Sequence, residues 1–129
     1  MSKNLTIVAT ALRRIQEEGG GDNFVIFTID QSKNYYIQFA GGPERSILYA
    51  EAVGNEVLAP EDRLSPAQEA HLRELGWKPP EHAPNFYREW DAKNDQERYQ
   101  IARQVLRTFH EVYGFVEEGT ITVNLNLGW

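Results

Sequence analysis

Three strand-forming runs joined by very short turns constrain this chain more than any other feature. They are Phe24-Val25-Ile26-Phe27-Thr28-Ile29, Tyr35-Tyr36-Ile37-Gln38-Phe39 and Ile47-Leu48-Tyr49-Ala50-Glu51-Ala52-Val53. β-Branched and aromatic residues suit a pleated, half-buried surface. The connections, Asp30-Gln31-Ser32-Lys33-Asn34 and Gly41-Gly42-Pro43-Glu44-Arg45, are rich in turn formers. Connections this short favour an antiparallel meander, because a parallel pair needs a long crossover. Polar residues alternate only partly along the runs, so one face belongs to the core and the other stays partly apolar.

Helical periodicity flanks the meander. Leu5, Val8, Leu12 and Ile15 mark one face of a helix predicted from Ser2 to Glu18, and Gly19-Gly20-Gly21 stops it. Ser65-Pro66-Ala67-Gln68 opens a second helix with an N-cap serine, proline at the first helical position and a glutamine placed to complete a capping box. Gly76 stops that helix. Phe86-Tyr87-Arg88-Glu89-Trp90 alternates as a strand does. Asn94-Asp95-Gln96-Glu97 caps a long helix whose buried stripe is Ala102, Val105, Leu106, Phe109, Val112 and Tyr113, closed by Gly114. Thr120 to Leu127 alternates almost strictly and is predicted to be a last strand. The expected fold is α+β: an antiparallel β-meander packed against an N-terminal helix and a long late helix, in the order α-β-β-β-α-β-α-β. All 129 residues fit one domain.

Composition excludes several functions. Without cysteine there is no disulfide scaffold and no thiolate metal site. A net charge of −6 argues against nucleic acid and against anionic lipid, both of which demand lysine and arginine. No apolar run spans a bilayer, the start of the chain does not look like a signal peptide, and the expected setting is the cytoplasm.

No catalytic, cofactor or metal constellation emerges. His71, His82 and His110 lack metal-ligand spacing, and His71 and His110 read as helix-surface residues. The glycine triplet leaves a helix rather than entering one, so it is not a phosphate cradle. Glu17-Glu18, Glu61-Asp62 and Glu117-Glu118 read as solvated pairs. Capping explains Ser65. Arg98, Arg103 and Arg107 read as part of a solvated helix face.

One segment resists such dismissal. Leu75-Gly76-Trp77-Lys78-Pro79-Pro80, followed by Pro84-Asn85-Phe86-Tyr87-Arg88-Glu89-Trp90, holds two of the three tryptophans between two helix signals. Either Trp77, Phe86 and Trp90 plug the core, or some of them line a groove for an extended peptide whose backbone pairs with an edge strand. Both hold together if Trp77 and Trp90 are buried while Tyr87 and His82 lie outside.

The Leu75-Gly76-Trp77 turn, Pro79-Pro80, Pro84-Asn85-Phe86 and Arg88-Glu89-Trp90, with the order of the elements, resemble the type III secretion chaperone-like group, the TY-Chap domains related to CesT-like and YbjN-like proteins. The resemblance implies an α+β fold with a curved antiparallel sheet, no catalysis, a protein or peptide client, and homodimerisation through a helix or strand. Thr120–Trp129 has no counterpart in that pattern. The expected client surface combines Tyr36, Leu48 and Tyr49 on the outer face of the meander with Trp77, His82, Phe86, Tyr87 and Trp90. The competing expectation is a small-molecule or regulatory module with a pocket between helix and sheet.

Overall fold

The computed structural model describes residues 3–18, 20–43, 45–81 and 83–128. Helix α1 (Lys3–Glu17) leads into strands β1 (Phe24–Asp30), β2 (Tyr35–Ala40) and β3 (Ile47–Ala52). Helix α2 (Pro66–Glu74), strand β4 (Phe86–Asp91), helix α3 (Asp95–Tyr113) and strand β5 (Thr122–Asn126) follow. This is the expected α+β order, with one short 3-10 turn added at Pro60–Asp62. The expected helix start at Ser2 and the stop at Gly19 lie outside the described residues.

The local signals act as their chemistry dictates. Ser65 Oγ accepts from the Gln68 N–H at 3.2 Å while Gln68 Oε1 accepts from the Ser65 N–H at 2.7 Å, a complete capping box. Asn94 Oδ1 accepts from the Glu97 N–H at 2.8 Å at the start of α3. Gly114 ends that helix at φ 75°, a left-handed conformation that glycine adopts without a Cβ clash.

The five strands form one antiparallel sheet in the order β4-β3-β2-β1-β5. Helix α3 makes that order possible. It carries the chain from β4 at one edge to β5 at the other, and its 19 residues span about 28 Å. Four inter-strand steps need only about 19 Å.

The core lies between the sheet and helices α1 and α3. Val25, Phe27, Ile37, Phe39, Leu48 and Ala50 point to the helices, where Val8, Leu12, Ile15, Val105 and Phe109 meet them. Leu48 was expected on the outer face, but it sits at 0% exposure in the core. Strand alternation settles this: Leu48 shares a face with Ala50, and Tyr49 takes the other. Leu106 was expected in the buried stripe of α3 and is only partly buried. Arg98, expected on a solvated face, is 6% exposed. It enters the seam between α1 and α3, where it donates to Gln16 Oε1 at 2.8 Å and to Asp95 Oδ1 at 2.7 Å. Gln16 in turn donates to three backbone carbonyls, of Arg45, Ser46 and Ala92. This buried polar junction fastens α1 to the chain on both sides of the sheet's β3–β4 end.

Candidate functional site

The aromatic segment proves to be mainly a seal. Trp77 is 2% exposed and Phe86 1%, so neither can meet a client at the surface. The Trp77 indole N–H donates to Thr108 Oγ1 at 3.1 Å, satisfying its one polar atom. Trp90 is half-buried on the helix side of β4, edge-on to Trp77 at 5.6 Å and stacked near Phe39 at 5.7 Å. Arg88 closes the stack. Its guanidinium lies 3.9 Å from the Trp90 ring centre and donates to the Leu75 carbonyl at 2.8 Å, at the C-terminus of α2. Gly76, at φ 103°, is where Arg88 passes: a Cβ there would stand 2.6 Å from Arg88 Nη1. Asn85 is equally structural. Its Oδ1 accepts from the Gly54 N–H, and its amide donates to Tyr36 Oη and Glu51 Oε1, each at 3.0 Å.

This segment also pairs with the β4 edge at one position. Lys78 N–H donates to the Tyr87 carbonyl at 2.8 Å, and Tyr87 N–H to the Lys78 carbonyl at 3.1 Å. The backbone groups that a sixth strand would need at Tyr87 are already taken. His82 lies outside the described residues.

The helices leave the opposite face of the sheet bare. Across it run Glu89, Tyr49, Ala40, Phe24 and Asn126, and beside them Tyr87, Glu51, Gln38, Ile26 and Asn124. Tyr36, Tyr49 and Tyr87 all belong to this face, each half-buried. Tyr49 and Tyr87 stack with centroids 6.4 Å apart. Burial, then the charges of Glu51 and Glu89, push the Tyr49 hydroxyl up. The Tyr87 hydroxyl is also pushed up, chiefly by its 2.6 Å hydrogen bond to Glu81. Both stay protonated at neutral pH.

The other edge is open. β5 pairs with β1 on one side, and among the described residues no strand pairs with it on the other. Its sequence, Thr122-Val123-Asn124-Leu125-Asn126, has no charge and no proline. Val123 is 37% exposed. Beside it lies a groove of about 310 Å³ whose walls include Ile7, Thr10, Ala11 and Arg14 of α1 with Val123 and Leu125. Sequence reasoning predicted the strand but not its role. The available signal was the alternation of Thr120 to Leu127 without any of the charges that usually blunt an edge.

His71 Nε2 lies 2.6 Å from Glu111 Oε1, joining α2 to α3. Glu111, helped by Glu74, raises the His71 pKa, and His71 and Arg107 lower that of Glu111. Among the described residues no group of three or more histidines and carboxylates could hold a metal ion. No helix among them is long and apolar enough to cross a membrane.

A family model described as T3SS (YopN, CesT) and YbjN peptide-binding chaperone 3 matches residues 7–124. No curated protein and no solved structure matches. The match runs from the first turns of α1 into β5, so it takes in the bare face and most of the open edge as well as the aromatic seal. The chain belongs to the TY-Chap3 family of peptide-binding chaperone domains.

Proposed function

We propose that this chain is a non-catalytic, cytoplasmic peptide-binding chaperone whose client adds to the sheet as an extended strand along β5. One observation carries the reading: of the two edges, only β5 offers an unpaired, uncharged backbone ladder beside an apolar groove. A client strand would gain affinity from main-chain hydrogen bonds. Its alternate side chains would enter the groove between Val123, Leu125 and Ile7. Tyr36, Tyr49 and Tyr87 provide a second, flatter surface over which a longer client would continue. A small-molecule role has less support, since the space between helices and sheet is filled by core side chains and the groove at β5 opens to solvent. A second copy of the chain competes for the same edge, and light scattering that reads a dimer lost in Val123→Lys would assign it there.

Amide hydrogen exchange tests the reading, with an extended peptide selected from a random display library. Bound peptide should protect Thr122–Asn126, and Val123→Lys, an inward-pointing charge on the edge, should abolish binding. Protection confined to the strands bearing Tyr36, Tyr49 and Tyr87, with Val123→Lys binding normally, would move the client to the bare face.

A further inference from the structure

The bare face of the sheet is not uniform in charge. At the β1–β5 end its residues are Phe24, Ile26, Thr28, Thr122, Asn124 and Asn126, all neutral. At the β3–β4 end tyrosines and carboxylates alternate. Tyr49 stands opposite Glu89, and Glu51 opposite Tyr87. The four form a rectangle of about 5 Å by 7 Å, with tyrosines on one diagonal and carboxylates on the other. The tyrosine diagonal is the stacked pair at 6.4 Å. Glu81 adds a third carboxylate, 2.6 Å from the Tyr87 hydroxyl.

Among the described residues no lysine, arginine or histidine forms an ion pair with Glu51, Glu81 or Glu89. The donors that reach them are neutral: the Asn85 amide for Glu51 and the Tyr87 hydroxyl for Glu81. Lys78 lies over the Tyr87 ring, 5.9 Å from its centre. One ammonium thus stands beside three carboxylates, and the cluster stays negative. A sheet surface is stabilised by opposite charges across its strands. This one sets tyrosine against glutamate instead and leaves the carboxylates for a cation from outside.

Resting on the reading of β5 as the client's edge, we propose that the client continues across the bare face as an arginine-bearing segment whose guanidinium groups lie over the Tyr49–Tyr87 pair and bond to Glu51 and Glu89. A strand added outside β5 lies four and a half inter-strand steps from the β3–β4 boundary, roughly 22 Å. About seven extended residues cover that distance. The neutral β1–β5 end makes no charge demand on the residues that cross it. A guanidinium suits the far end better than an ammonium, because it is flat enough to lie on a tyrosine ring and forked to meet carboxylates. An acidic continuation is repelled there.

Fluorescence anisotropy tests the proposal, starting from the library peptide that protects Thr122–Asn126. A glycine–serine tail of about ten residues, long enough for the crossing, is attached in turn to each end and closed by two arginines, two glutamines or two glutamates. On one of the two ends the arginine tail should tighten binding roughly fivefold to tenfold over the glutamine tail, and the glutamate tail should weaken it. The gain should shrink as salt rises. Glu51→Gln with Glu89→Gln should erase it with circular dichroism unchanged, because the new amide oxygen at position 51 still accepts from Asn85. If the double variant unfolds, Glu89→Gln alone makes the same test, since Glu89 is exposed. A glutamine tail that binds as tightly as the arginine tail, or a gain that survives in the glutamine variants, overturns the proposal and leaves β5 standing as the client's edge. If no library peptide protects Thr122–Asn126, the edge reading falls and this proposal with it.

Discussion

The two edges of this sheet are built from opposite materials. At β4, Trp77, Phe86, Trp90 and Arg88 pack behind the strand, and Lys78 hydrogen-bonds across it. At β5, threonine and asparagine alternate with two aliphatic residues, and nothing among the described residues pairs with the outer side. An open edge is a hazard, because its free N–H and C=O groups invite any extended chain. This protein blocks the β4 edge at Tyr87 through its backbone pair with Lys78 and leaves β5 unguarded. Aromatic density marks the sealed edge, not the receptive one. Large rings make a durable seal, whereas strand addition demands mainly accessible backbone.

Substitutions can break that contrast. Trp77→Ala should cost about 3–5 kcal/mol, since it empties the site of a fully buried ring and removes the indole hydrogen bond to Thr108 Oγ1. Urea unfolding measures it, and a variant that keeps its stability but loses peptide binding would recast the seal as a binding surface. Gly76→Ala should cost about 1–3 kcal/mol, by strain at φ 103° and by dislodging Arg88 from Trp90. Its midpoint shift should shrink but not vanish when Arg88→Ala is already present, because the clash is then gone while the backbone strain is left. Val123→Lys should change stability by no more than about 0.5 kcal/mol, because the side chain is on an exposed edge. Thermal melting checks that this change is far smaller than the one at Trp77.

The smallest effect concerns the bridge between α2 and α3. Folding raises the His71 pKa above its ordinary 6.5, so the contribution of its charge is complete below about pH 6.5 and is lost as pH rises through the folded value. Glu111 is lowered below its ordinary 4.5, so its contribution is present above that pH and is lost as pH falls through the folded value. The melting difference between the native chain and His71→Gln should therefore be largest near about pH 6 and shrink in alkali. A difference that grows with pH would mean that His71 acts through packing instead. The group is solvent-facing, so the shift should be small and sensitive to salt.

Much of the fold was legible because its signals are local. Short turns between β-branched runs impose antiparallel neighbours, and Ser65, Asn94 and Gly114 mark helix ends through hydrogen bonds to residues a few positions away. Leu48 was misplaced because its run is apolar on both faces, so its register could not be read from residue type. Arg98 was misplaced because a buried arginine looks like any other until Gln16 and Asp95 are brought to it. The candidate site was less legible. Tyr36, Tyr49 and Tyr87 were named from the sequence and do share the bare face, but Trp77 and Phe86 went to the core.

The sequence by itself determined the elements, their order and the caps that start and stop them, since each rests on interactions within a few residues. It also excluded metal-thiolate and disulfide chemistry, because the chain has no cysteine. Only the tertiary structure decided which edge stays open. That choice depends on α3 crossing the sheet to deliver β5 beside β1, and on Lys78 folding back onto Tyr87.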